Sequence, residues 1–313
     1  MKLRALLLIA LSLLIASTAQ ASVYVVAVAG LAGEPDYEQR FAAAAKDLEK
    51  SLAASAPSNG HVQVLAAAGA TREKLTQALA TVAREARAED DFVLILIGHG
   101  SFDGVEYKLN LVGPDITAAE LAALCNRVPS RRQLIVNATS ASGGSIAALQ
   151  RNCRAVVAAT KSGTEKNATV FARYWVEALR DPAADIDKNE AISALEAFLY
   201  ADRKTAEFYT SQKRLATEHP VFEDTGKGQP VRAAQPEIGE GRLLSSLILV
   251  RLGEAQRAAL DPAKRDLLAK KDDLERQIDA LKFQKAAMAQ SEYESQLKSL
   301  LLDLARVQAA LDK

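Results

Sequence analysis

Three histidines and two cysteines are all that 313 residues supply of the side chains that most often hold zinc. His61, His99 and His219 stand far apart and none is paired at ligand spacing, which argues against a zinc centre. Charge of one sign is missing too. Lys+Arg number 39 against 39 Asp+Glu, so there is no basic field for nucleic acid. No G-x-x-x-x-G-K loop occurs, and no G-x-G-x-x-G follows the first strand-like run, so neither phosphate-cradling signature is present.

Residues 1–21 carry the marks of a secretory signal peptide: Lys2 and Arg4, then an apolar Ala5 to Ala16, then Ala19-Gln20-Ala21 as a cleavage site. The apolar stretch is short for a bilayer span, and no cysteine follows it for lipid attachment. The expectation is a mature chain beginning near Ser22, periplasmic or secreted, with no membrane span left after cleavage. Export permits a disulfide between Cys125 and Cys153, and two separate buried thiols fit equally well. Each cysteine closes a predicted helix just before a strand. If those strands adjoin, both thiols lie at the N-terminal edge of the sheet, away from any site at the other edge.

Short apolar runs alternate with helical spacing. Val23 to Gly30, His61 to Leu65, Asp91 to Ile97, Gln133 to Val136 and Ala155 to Thr160 read as strands, most of them buried on both faces. Between them lie helical segments at Tyr37 to Leu52, Thr71 to Ala88 and from Thr117, where Thr117 and Glu120 make a capping box. A further helix is expected from about Thr169 to Leu179. The pattern predicts an α/β fold with a doubly wound, mainly parallel sheet over residues 22–252. From Gly253 the character changes: Leu267, Leu274, Ile278, Leu281 and Met288, then Tyr293, Leu297, Leu300, Leu304, Val307 and Leu311, fall on heptad steps. A helical hairpin or coiled-coil segment is expected over residues 253–313, docked on the domain or serving self-association. Ile238 to Leu252 reads equally as an edge strand or a helix.

In open α/β sheets, function gathers beyond the carboxyl ends of the strands. Two strands there end in Gly98-His99-Gly100-Ser101 and in Asn137-Ala138-Thr139-Ser140-Ala141-Ser142-Gly143-Gly144. This pair resembles the histidine and cysteine motifs of the caspase-like fold, within it the legumain-like group, over roughly residues 23–225. The resemblance implies peptide-bond hydrolysis by a Cys–His dyad, with Thr139 standing in the cysteine position. A thiol is partly ionised at neutral pH, whereas a hydroxyl needs an oriented base in direct reach. The expectation is therefore a peptidase-like protein without activity, needing no cofactor and acting by binding a peptide or protein. The alternative is a hydrolase in which Thr139, Ser140 or Ser142 attacks, His99 is the base, and the backbone at Gly100 and Gly143 lines the pocket and supports the oxyanion.

A second constellation runs from Asp185 to Glu196. Asp185, Asp187, Asn189, Ser193 and Glu196 fall at positions one, three, five, nine and twelve of an EF-hand loop, a spacing that could hold calcium. Glu190 takes the sixth position, where the turn wants glycine and positive φ. The plainer reading is an acidic loop leading into a helix from Ala191. Thr217-Glu218-His219-Pro220 and the following Glu223-Asp224-Thr225-Gly226-Lys227-Gly228 read as polar turns.

Overall fold

A computed structural model describes residues 21–55 and 61–313, so the signal-peptide reading falls, but for its last residue, outside the described residues. A parallel sheet is built from β1 (Val23–Ala29), β2 (His61–Leu65), β3 (Asp91–Ile97), β7 (Arg132–Asn137) and β8 (Arg154–Ala158), with β4 (Gly100–Phe102), β5 (Tyr107–Leu109) and β6 (Ile116–Thr117) forming a small antiparallel sheet after β3. Beyond β8, β9 (Ala191–Ser193) pairs antiparallel with β11 (Ile248–Arg251), and β10 (Val221–Glu223) lies antiparallel on β8 as the sheet edge. The main sheet runs β10-β8-β7-β3-β1-β2.

Valine, leucine and isoleucine suit strands covered on both faces. Side chains alternate accordingly: Val25, Ala27, Val93, Ile95, Leu134, Val136, Ala155 and Val157 enter one core, while Val26, Val28, Phe92, Leu94, Leu96, Ile135 and Val156 enter the other. The first face is covered by α1 (Pro35–Ser55), α5 (Phe171–Ala178) and α6 (Ala194–Ser211), the second by α2 (Arg72–Glu85), α3 (Ala118–Cys125) and the short α4 (Ile146–Leu149). The doubly wound, mainly parallel α/β sheet is thus present. Thr71 caps α2, and Thr117 with Glu120 forms the expected capping box on α3.

Ile238 to Leu252 combines both readings. It holds α7 (Arg242–Ser246) and then β11, which joins the ribbon with β9 rather than the main sheet. Three helices follow, α8 (Gly253–Leu260), α9 (Arg265–Gln284) and α10 (Gln290–Leu311). α9 and α10 pack together as a hairpin, and α9 lies against α7 and the 3-10 turn Pro236–Ile238, so the hairpin is docked on the α/β unit. Arg251 grips Asp272 of α9 with two nitrogens, at 3.0 and 2.5 Å. Ser291 and Glu294 have the S-x-x-E capping spacing but make no cap, because α10 begins at Gln290, two residues before a helix capped by Ser291 would, and its N-cap Ala289 offers no side-chain bond. Among the described residues no helix is long and apolar enough to cross a membrane.

Both cysteines are free thiols, Cys125 buried and Cys153 exposed, so the structure forms neither the bridge nor two buried thiols. They do lie at the N-terminal edge of the adjoining strands β7 and β8, opposite the candidate site.

Candidate functional site

β3 and β7 pair in parallel as far as Leu96 and Asn137, which brings the ends of both motifs to one edge of the sheet. Gly98 turns the chain off the strand at φ +140, with its α-carbon close against Gly30: a Cβ there would sit 3.3 Å from the Gly30 nitrogen. His99 then points at α1. Its ring meets the edges or faces of Tyr37 and Phe41 at 4.7 and 5.2 Å. Partial burial pulls its pKa down, partly opposed by a hydrogen bond to the Ala32 backbone and by the Glu34 charge. No hydrogen bond joins it to a hydroxyl of the β7 motif.

Those hydroxyls are held elsewhere. Thr139 is wholly buried, and its Oγ1 lies 2.8 Å from Asn137 Oδ1, 2.6 Å from the Tyr107 phenol and 3.1 Å from the Ser140 carbonyl. Asn137 Nδ2 in turn donates to Ser145 Oγ at 3.0 Å, and Ser145 donates to the Ser142 carbonyl at 2.6 Å. Burial pushes the Tyr107 phenol up to about 12, so it stays a neutral hydrogen-bonding group. Ser142 Oγ is also buried, accepting from the Thr160 amide at 3.1 Å and sharing a proton with Thr160 Oγ1 at 3.2 Å. The Gly143 amide donates to Thr160 Oγ1 at 2.9 Å. Gly100 leaves room for Tyr107 and the Ser140 carbonyl, each within 2.6 Å of where its Cβ would be. Ser140, 2% exposed, is the one hydroxyl of the three that makes no hydrogen bond.

Tyr107 stands on β5, in the stretch between Ser101 and Thr117 for which no strand is expected above. The alternation Tyr107-Lys108-Leu109-Asn110-Leu111 was the available signal of an inward-facing strand. Two other groups were hidden in the Thr217–Pro220 turn. His219 Nδ1 sits 2.5 Å from Glu165 Oε1, and the Glu165 carbonyl accepts from the Ala141 amide at 2.8 Å, so this pair adjoins the β7 motif. Glu218, 2% exposed, accepts from the Val170 and Phe171 amides and from Tyr209. It therefore closes the α5 N-terminus, which would otherwise attract an anion.

Around this edge the loops carry bare apolar side chains. Leu31 follows β1, Val105 tips the β4–β5 turn, and Leu215 lies on the approach to antiparallel β10; they are 47, 90 and 91% exposed.

The acidic loop stands apart, between the α/β unit and the hairpin. Asp185, Asp187 and Glu196 each bring an oxygen within 4.8 Å of the others. Glu190 adopts positive φ, 64°, as the sixth position demands. Ser193 and Glu196, the expected ninth and twelfth ligands, also form a capping box on α6, a pattern that S-x-x-E already spells. Asn189 turns its Oδ1 onto the Ala191 amide at 2.8 Å. Burial, then the Glu196 charge, pushes the Asp187 carboxyl up to about 6. A cavity of about 550 Å³ opens beside this loop, with Lys271, Glu275 and Lys282 of α9 on its far wall.

The fold class and the site geometry define an α/β protein with histidine and hydroxyl motifs at the carboxyl edge of a parallel sheet. No protein-family model matches the chain, and no curated protein matches it. Among solved structures it is similar to a structural-genomics target from Geobacter sulfurreducens, at 13% identity and TM-score 0.46, over 74% of this chain and 100% of that one. It is also similar to the Drosophila initiator caspase Dronc, at 13% identity and TM-score 0.39, over 67% of this chain and 81% of that one.

Proposed function

We propose that this chain is an exported protein of the caspase-like, legumain-like kind that has lost peptide cleavage and uses the carboxyl edge of its sheet to bind a peptide or protein. The motifs support the kinship: a Gly-His-Gly beyond β3 and an Asn-Ala-Thr beyond its neighbour β7. One observation carries the loss of cleavage. The Thr139 hydroxyl, in the nucleophile position, is buried and engaged by Tyr107, Asn137 and the Ser140 carbonyl, while His99 turns to the Ala32 backbone. A hydroxyl attacks only when a base takes its proton, and no base touches this one. The exposed Leu31, Val105 and Leu215 supply apolar contact area for an extended partner on the same edge.

The mature protein is expected to form no adduct with a fluorophosphonate probe, and to retain peptides from a random library. Val105→Asp and Leu31→Asp together should lower that retention at least about tenfold, as loss of an apolar anchor does. An adduct that disappears in Ser140→Ala and in His99→Ala would restore the hydrolase, with Ser140 as its nucleophile.

The convergence of Asp185, Asp187 and Glu196 supports a second proposal, that the loop takes calcium weakly. Glu196 already accepts from the Ile186 and Ser193 amides at 2.8 and 2.9 Å, so a cation would share its oxygens with existing donors. Calorimetry should give a saturable heat in the wild type and none in Asp187→Asn. Two flat traces would leave the loop as the cap of α6 alone.

A further inference from the structure

The turn after β10 gathers three buried carboxylates and no paired cation. Glu223 and Glu240 are wholly buried, and Asp224 is 6% exposed. Glu223 Oε1 accepts from the Thr225, Lys227 and Gly228 amides at 3.0, 3.2 and 3.0 Å and from Thr225 Oγ1 at 2.7 Å. Its other oxygen, Oε2, is buried without any partner. Asp224 closes α7: Oδ1 accepts from the Gly241 amide at 2.8 Å, and Oδ2 from those of Leu243 and Leu244 at 2.8 and 2.9 Å. Glu240 Oε2 accepts from the Asp224 amide at 3.1 Å, and its Oε1 faces Thr225 Oγ1 at 3.2 Å.

Counting donors shows the deficit. The Thr225 hydroxyl has one proton and stands between two carboxylate oxygens, while Glu223 Oε2 has no donor at all. The charged groups of the surrounding segments do not correct it. Lys227 in the turn, Arg242 on α7, Arg151 behind Gly226 and Glu237 on the 3-10 turn are all exposed. On α9, Arg276 pairs with Asp273. In so dry a cluster each charge raises the cost of the next.

We propose that this turn is a proton-controlled latch, in which one proton held by Glu240 among Glu223, Asp224 and Thr225 closes the turn onto α7, and loss of that proton opens both. A protonated Glu240 Oε1 donates to Thr225 Oγ1, which leaves the one Thr225 proton for Glu223 Oε1. Burial, together with the Asp224 and Glu223 charges, pushes the Glu240 carboxyl up to about 7. The closed turn fits tightly. A Cβ on Gly228 would meet Glu240 Oε1 at 2.3 Å, and one on Gly226, at φ +79, would meet the Asn152 nitrogen at 2.3 Å. Because α7 also packs against α9, the latch lies between the sheet edge and the docked hairpin.

The test is hydrogen exchange on the full mature chain from pH 5 to 8, corrected for intrinsic rates and read on peptides within residues 224–246. The closed turn binds the proton more tightly than the open one, whose carboxyl titrates near its usual 4.5. Opening in the wild type should therefore grow by up to about tenfold per pH unit from 5 to 7 and level off above. Glu240→Gln, which keeps an amide donor at every pH, should hold the pH 5 level throughout. Glu237→Gln, on the exposed neighbour, should follow the wild type. Glu223→Gln supplies a donor to the same cluster and should flatten the profile if Glu240→Gln does not fold. A flat wild-type profile, or an unchanged slope in the folded cluster variant, overturns the latch.

Discussion

Thr139→Cys is expected to yield a thiol that cleaves no peptide and reacts with iodoacetamide at least about 1000-fold more slowly than Cys153 in the same molecule. The residue at this position is fully buried, so alkylation must wait for a local opening, and an opening costing about 4 kcal/mol leaves the group accessible a thousandth of the time. The internal standards lie on opposite sides of this expectation. Cys153 is exposed, while Cys125 is buried and burial pushes its thiol up to about 11, against the pull of Arg154. A new thiol at 139 would also meet Tyr107 and Asn137, which now occupy the hydroxyl, rather than His99. A thiol at 139 alone therefore does not pair with His99, because the imidazole faces α1. Mass spectrometry of a timed alkylation series on Thr139→Cys reads all three rates. Modification as fast as at Cys153, with turnover of a peptide library, would show that the β7 motif opens readily and that a thiol there suffices for cleavage.

What could be read from the chain before the structure was its local physics. Phe92 to Ile97 and Leu134 to Val136 read as strands covered on both faces, and Thr117-x-x-Glu120 as the opening of a helix, and the structure has each of them. Their order was enough for a doubly wound sheet and for the edge where His99 and Thr139 emerge. The direction in which those side chains turn was not legible. It depends on Tyr37 and Phe41 arriving from α1, and on Tyr107 arriving from the three-residue strand β5. The acidic loop shows the same limit from the other side. Asp185, Asp187 and Glu196 lie together there, yet Ser193 and Glu196 serve a helix cap that the same letters encode. A spacing that satisfies two local motifs does not say which one the backbone uses. Glu223 and Glu240 could not be found as a pair at all, since nothing in a polar turn marks carboxylates seventeen residues apart as buried neighbours.

Glu218→Ala is expected to lower stability by about 3 kcal/mol, from a side chain that reads in the sequence only as part of a turn. Its carboxylate takes the Val170 amide at 2.7 Å, the Phe171 amide at 3.2 Å and the Tyr209 hydroxyl at 2.9 Å. Removing it leaves the first amides of α5 and a buried phenol with fewer partners, and α5 carries Phe171 and Trp175 into the core beneath the candidate site. The loss should depend on pH in a definite direction. Burial pushes the Glu218 carboxyl up to about 6, above its usual 4.5, even though three donors favour its charge. The folded state therefore holds this proton more tightly than the unfolded chain. The stability it contributes is complete below about 4.5 and is lost as pH rises through 6, a span of about 2 kcal/mol at most. Other raised carboxyls, among them Asp187 and Glu275, tilt the whole curve the same way, so the diagnostic quantity is the wild-type value minus that of the variant. Urea unfolding at pH 4.5, 6 and 7.5 should show that difference shrinking as pH rises. A difference that grows with pH would mean that the three donors outweigh burial and that Glu218 acts as a charged cap. A loss below about 1 kcal/mol at every pH would mean that water replaces it at the head of α5.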